Sequence, residues 1–256
     1  MNNIAVLPAR LASTRFPNKP LAKIHGVPMI GHCYFRTKMA ENLSEVYVAT
    51  CDQEIYDYIE SIGGKAVMTK DTHERCSDRT AEAVQKIEEA TGEKIHIVVM
   101  IQGDEPMVQP EMIDAAVVKM IEDPDTLVVN LVAQLKNREE HEDPNEVKVV
   151  MDRNYNAMYF SREAIPSWKK GGNDFPMYKQ VCIIPFRRDF LFQYMEMEPT
   201  MLEEVESVDM NRILEHGYPV KMVPTDIETY AVDTPEDLAN VERHMEHDQL
   251  MKKYTD

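Results

Sequence analysis

Short apolar runs alternating with helical patterns constrain most strongly how this chain can fold. Residues 95–101 (IHIVVMI) form the longest such run, the mark of a strand buried on both faces of a parallel sheet. Residues 4–8 predict the first strand, 45–50 (EVYVAT) the next and 65–69 a short one. Between them Pro28 opens a helix to about residue 43, since proline is tolerated in a first turn. A second helix over about 53–62 stops at Gly63-Gly64, and 78–90 is helical. Repeated strand–helix–strand units imply right-handed crossovers, and so an α/β fold with a doubly wound, mainly parallel sheet.

From about residue 125 the spacing becomes less regular. Strand-like segments at 127–135, 147–151, 157–160 and 181–186 predict a smaller mixed α/β subdomain or a dimerisation platform. Residues 203–216 predict one helix stopped by Gly217, and 220–223 a returning strand. Thr234-Pro235-Glu236-Asp237 opens the last helix, with a capping threonine, proline at the first helical position and acids in the first turn. The tail over 252–256 is predicted to fray. Residues 1–256 thus read as a single domain, with 1–125 and 220–250 as its core and about 126–219 as a smaller region.

No apolar run approaches the ~20 residues of a membrane span, and MNNIAVLPAR lacks the basic-then-apolar layout of a secretion signal. Cys33, Cys51, Cys76 and Cys182 form no CxxC pair, which predicts a reduced, cytoplasmic protein. A net charge of −17 argues against a broad nucleic-acid or anionic-membrane surface. Yet Arg10, Arg15, Lys19, Lys23, Arg36 and Lys38 all fall in the first forty residues, which contain no acid. Four of the six lie in the stretch just after the first strand, where α/β sheets place ligand-binding groups.

Three constellations carry chemistry. Pro8-Ala9-Arg10-Leu11-Ala12-Ser13-Thr14-Arg15-Phe16-Pro17-Asn18-Lys19-Pro20-Leu21 combines two planar guanidinium forks and a mobile ammonium, which suits a triphosphate. It is neither a Walker A loop nor GxGxxG. Gln102-Gly103-Asp104-Glu105-Pro106 follows the buried strand, where an acid suits a magnesium ligand facing a crevice. Asp233, in Ala231-Val232-Asp233-Thr234-Pro235-Glu236-Asp237, either helps to cap the last helix or supplies a second carboxylate to that metal. With Asp104 and a cationic loop present, the second role is the better match.

In order along residues 4 to about 245, PARxxSTRxPxKPL, HGxPMIxH, VAT, GGxxxMT, QGDEP, NxVKVV, YFSR and VDTPEDL closely resemble the CMP-3-deoxy-manno-octulosonate (KDO) synthetases, and more broadly the sugar-acid cytidylyltransferases. The resemblance implies a Rossmann-like nucleotidyltransferase fold, usually dimeric, that transfers CMP from CTP to KDO or a related sugar acid for lipopolysaccharide synthesis and releases pyrophosphate. It implies that Arg10, Arg15 and Lys19 hold the CTP phosphates, and that Gln102 and the backbone around Pro8 and Ala9 contact the cytidine. Asp104 and Asp233 would carry magnesium. Ser77 and Arg79 would lie beside the nucleotide pocket and Arg162 near the acceptor. The acceptor's oxygen would attack the α-phosphorus in line with departing pyrophosphate, by positioning and electrostatics rather than a dedicated protein base.

Departures from the family pattern concern the acceptor. Where a (K)HLGIY strand and an LEQLR helix are usual, this chain has Gln180 and Ile184 in Lys179-Gln180-Val181-Cys182-Ile183-Ile184, and Asp209-Met210 in Val208-Asp209-Met210-Asn211-Arg212. Apolar side chains at polyol contacts would leave hydroxyls unpaired, at roughly 1–3 kcal/mol per buried group. That opens an alternative, a non-KDO acid such as a phosphonate. Cys76 stands where the family has a glycine near the base. A catalytically silent nucleotide-binding module is disfavoured because both Asp104 and Asp233 are present. His244 with His247, Trp168, Cys182 and the 18 methionines read as surface or core features rather than sites.

Overall fold

Strand β1 (Asn3–Ala9) is buried along all seven residues, so both faces are covered. The computed structural model describes residues 2–12, 16–169, 175–228 and 230–255. They divide into two compact units, 1–114 with 229–256, and 115–228.

In the first unit, β1 leads to a 3₁₀ turn at Lys19–Leu21 and an antiparallel ribbon of β2 (Lys23–Ile24) and β3 (Val27–Pro28). Then come α1 (Met29–Thr37), β4 (Glu45–Thr50), α2 (Gln53–Ser61), β5 (Ala66–Met68), α3 (Cys76–Thr91) and β6 (Ile97–Ile101). Helix α4 (Pro110–Glu122) carries the chain into the second unit. Strands stand in the order β6-β1-β4-β5, all parallel. All five residues of β6 are buried, as the apolar run predicts. Helix α1 ends six residues before the predicted limit, because its last turn tightens into bonds from Met39 N–H to Arg36 and from Ala40 N–H to Thr37. Past α2, Gly63 adopts φ +72°, the left-handed conformation that stops a helix.

The second unit contains β7 (Val129–Gln134), α5 (Arg138–Glu142), β8 (Lys148–Met151), β9 (Ala157–Ser161), β10 (Tyr178–Val181) and β11 (Ile183–Arg187). Helices α6 (Arg188–Met195), α7 (Met201–Glu206) and α8 (Asp209–Glu215) precede β12 (Lys221–Thr225). Its sheet runs β12-β7-β10-β8-β9, with β12 parallel to β7 and the other pairs antiparallel. Two sequence expectations change here. The helix predicted over 203–216 is broken at Ser207 (φ +53°), and a buried Arg212–Glu203 pair at 2.6 Å ties the two pieces together. The returning strand, expected in the core, belongs to the second unit because it pairs with β7.

The chain closes in the first unit with α9 (Pro235–Met245) and α10 (Lys252–Thr255). The tail does not fray as predicted. Tyr254 stacks on Phe35 at a 5.0 Å centroid separation, and its hydroxyl meets His32 Nδ1 at 2.8 Å and Arg36 Nε at 3.2 Å. Arg36 and Asp248 form an ion pair at 2.9 Å. Ile24, Met29, Val232, Val241 and Met245 form a fully buried cluster beneath this end of the unit. At roughly 1.5–3 kcal/mol per buried aliphatic side chain, it fixes residue 232 against α1 and α9. Among the described residues no helix is long and apolar enough to cross a membrane.

Candidate active site

At the carboxyl ends of β1 and β6 the first unit opens into a cavity of about 320 Å³. Its lining includes Pro8, Ala9, Arg10, Lys19, Gln102 and Asp104. Gly103 brings that wall close to α1. A Cβ there would come within 2.8 Å of Ile30 Cδ1, so the wall packs directly on α1.

Lys19 is the hub. Its ammonium donates to Asp104 Oδ2 at 3.2 Å, Asp233 Oδ1 at 3.3 Å and the Val232 carbonyl at 2.8 Å. Three acceptors match the three N–H groups of an ammonium. Asp104 and Asp233, far apart in sequence, come together because Val232 N–H donates to the Asp104 carbonyl at 2.9 Å. The lysine side chain is 15% exposed and the two carboxylates 25% and 30%, so the cluster is accessible but partly desolvated.

The role of Asp233 is separable from helix capping. Thr234 is the N-cap of α9, and its capping-box partner is Asp237, which accepts from Asp233 N–H at 3.0 Å and Thr234 N–H at 2.8 Å. The cap is complete without the Asp233 side chain, whose carboxylate is on Lys19 instead. Between them, the two carboxylates already hold one cation. Among the described residues no group of three or more His, Cys, Asp or Glu is arranged to hold a metal. A divalent ion here would therefore need further ligands from nucleotide phosphates and water, which is magnesium's usual habit.

Arg10 is exposed, and its Nη1 donates to the His73 carbonyl at 3.4 Å. That segment is anchored by Glu82, which accepts from Lys70 N–H at 2.9 Å and pairs with Lys86 and His73. Burial opposes ionisation of Glu82, but these donors outweigh it and hold its pKa at about 2. Arg15 lies outside the described residues. Cys76 begins α3 and lines the cavity. Ser77 and Arg79 are buried on α3. Arg79 Nη1 donates to Thr69 Oγ1 and to the Lys70 carbonyl, while its buried Nη2 has no hydrogen-bond partner among the described residues. Burial pushes the Cys33 thiol far up, with the charges of Asp104 and Glu105 adding to it, so it is no nucleophile.

The residues assigned to the acceptor lie in the second unit. Arg162 donates Nε to the Glu206 carbonyl at 2.7 Å and Nη1 to the Pro144 carbonyl at 3.0 Å. Gln180 donates to Asn130 Oδ1 at 2.6 Å, and Asp209 stands in the first turn of α8. Ile184 and Met210 are only 2% and 0% exposed, so neither side chain offers surface to a ligand. Their apolar character serves the interior. Trp168 carries Arg138 over its ring at 3.3 Å, and His244 packs on Tyr230 at 4.3 Å. The sequence reading missed the Val232 carbonyl and the His73 carbonyl, since a backbone acceptor leaves no mark in residue type.

A profile of the cytidylyltransferase family matches residues 4–229. The chain belongs to that family. It is a CTP-using nucleotidyltransferase, as the resemblance in its sequence implies. It is 41% identical over 251 residues to the 3-deoxy-manno-octulosonate cytidylyltransferase of Geotalea uraniireducens, covering 94% of this chain and 98% of that one. It is 39% identical over 260 residues to the protein of the same name from Geobacter metallireducens, covering 98% and 100%. Its structure is similar to that of a CMP:2-keto-3-deoxy-manno-octonic acid synthetase in complex with CTP, with TM-score 0.88, 34% identity and coverage of 96% and 98%. A cytidylyltransferase from Leptospira borgpetersenii shares the fold at TM-score 0.62 and 14% identity, covering 99% of this chain and 93% of that one.

Proposed function

We propose that this cytidylyltransferase transfers CMP from CTP to KDO and releases pyrophosphate, with magnesium held by Asp104 and Asp233. The observation that carries the reading is the meeting of one ammonium with two carboxylates beside a cavity at the carboxyl ends of parallel strands. Lys19 and Arg10 hold the triphosphate, Arg15 joins them on the strength of its motif, and the Pro8–Ala9 backbone with Gln102 receives the cytidine. The unpartnered Arg79 Nη2 supports a polar contact near the base, because a buried donor without an acceptor is costly.

In the reaction the acceptor's hydroxyl oxygen bonds to the α-phosphorus as the bond to the β-phosphate oxygen breaks. The proton leaves with solvent, and pyrophosphate departs. Arg10 and Lys19, whose ammonium would leave the two carboxylates once these hold the metal, stabilise the charge that builds on that leaving group. A magnesium ion held by Asp104 and Asp233 would supply Lewis-acid stabilisation of phosphate oxygens and lower the acceptor's pKa. Aligning the two reactants accounts for most of the remaining acceleration.

Relatives named for KDO, similar over nearly the whole chain, support a KDO acceptor and weigh against the phosphonate alternative. The alternative also loses its physical basis, because Ile184 and Met210 are interior residues. A homodimer is part of the proposal. Met158, Met201 and Val205 are 64%, 67% and 75% exposed in the second unit, where β9 is a sheet edge, and such surface favours association. Four cysteines, none of them in a disulfide, support a reducing, cytoplasmic setting. The test is pyrophosphate release with CTP, magnesium and a panel of acids: KDO, amino-KDO, another sugar acid and a phosphonate. KDO should turn over fastest, and a faster phosphonate would overturn the assignment.

A further inference from the structure

Asp52 stands at the N-cap of α2, where an aspartate ordinarily caps its own helix, yet its side chain makes no capping bond. Its Oδ2 instead accepts from Leu11 N–H at 2.7 Å, next to Arg10. Register explains the contact. The β1–β4 ladder ends with Ala9 opposite Thr50, and two residues further along each strand lie Leu11 and Asp52. A regular ladder would bring a backbone carbonyl to the Leu11 N–H. That carbonyl would be the one of Cys51, the residue before Asp52, but the strand ends at Thr50. The carboxylate takes its place and adds one rung beyond the end of the sheet.

Leu11 is held from its other side too, where its carbonyl accepts from Asn18 N–H at 3.3 Å, next to Lys19. Asp52 is itself fixed, its N–H donating to Thr50 Oγ1 at 3.1 Å. Both backbone polar groups of one residue are therefore pinned, between the cation that precedes it and the cation that closes the turn. We propose that Asp52 is a positioning residue for CTP, setting the direction in which Arg10 and Lys19 meet the triphosphate. This rests on the reading of Arg10 and Lys19 as phosphate ligands. A carboxylate so near a triphosphate is electrostatically unfavourable unless it organises the donors. The opposite possibility, that it competes with phosphate for the Leu11 N–H, predicts the opposite sign.

Three variants separate the roles by KM for CTP and kcat at saturating acceptor, with melting temperature as a control. Asp52→Ala should raise KM for CTP roughly tenfold with a smaller change in kcat, as loss of a charge-assisted hydrogen bond implies. Asp52→Asn keeps an acceptor oxygen at the same reach and should stay close to wild type. Asp52→Ser is a good helix cap but too short to reach Leu11, so it should behave as the alanine variant does. A serine variant with wild-type KM would show that capping was the role, and an alanine variant that binds CTP more tightly would show competition. Lys19→Ala measured alongside keeps the failures apart. If Lys19→Ala raises KM for CTP and Asp52→Ala does not, the positioning role alone falls. If neither moves it, the phosphate-binding reading falls as well.

Discussion

Lys19→Met removes the ammonium that sits between Asp104 and Asp233 while keeping most of the side chain's apolar bulk. At 3.3 Å a unit-charge attraction is worth ~1.3 kcal/mol in a water-like dielectric and ~5 kcal/mol at an effective dielectric of ~20. With the carboxylates 25% and 30% exposed, solvent screening favours the lower figure. Each carboxylate loses about that much stabilisation, and the pair is left with two uncompensated negative charges. A divalent cation added to the nucleotide-free protein then meets a site without a competing ammonium. Mn²⁺ titration followed by electron paramagnetic resonance should show affinity rising by about tenfold, the equivalent of ~1.4 kcal/mol. Turnover should move the other way, by about 100-fold or more, because the proposed mechanism loses a donor to the leaving pyrophosphate. Unchanged Mn²⁺ affinity with full turnover would refute the reasoning.

Three further outcomes follow from the same unit. His32 is buried, with Nε2–H donating to the Ile24 carbonyl at 2.9 Å and Nδ1 accepting from Tyr254, and burial holds its pKa at about 4 against 6.5 for the free side chain. Below pH 6.5 the unfolded chain takes a proton that the folded chain refuses, so His32 should cost about 2 kcal/mol between pH 7.5 and 5, and urea titrations of His32→Phe should lack that component. Tyr254→Phe keeps the stack on Phe35 but leaves His32 and Arg36 without the hydroxyl, and should lower stability by about 1–3 kcal/mol in the same titrations. Asp237→Ala opens the capping box that fixes Asp233, and should cost about 1 kcal/mol of stability together with a fall in turnover.

The sequence made the parallel core legible because burial on both faces leaves unbroken apolar runs such as Ile97–Ile101. The Thr234-Pro235 helix start was legible too, since capping demands particular residue types. Less could be read where tertiary contacts decide. The break at Ser207 is a left-handed residue that nothing in residue type announces, and α10 is fixed by a tyrosine whose partners lie on α1. At the site, Lys19 and the two aspartates were legible as chemistry, but their convergence depends on a backbone bond from Val232 to Asp104. The burial of Ile184 and Met210 was hidden for the converse reason. Substitution at a position says nothing about whether its side chain faces a ligand or the interior.

The central claim is that Asp104 and Asp233 act on one shared ion, and a double-mutant cycle on turnover tests it most directly. Asp104→Asn, Asp233→Asn and the double variant are compared at saturating CTP, KDO and magnesium. Each single change should cost at least about 100-fold, and the double little more than either, because groups that act as a unit are not additive. Wild-type turnover in either single variant, or losses that simply multiply in the double, would contradict the account.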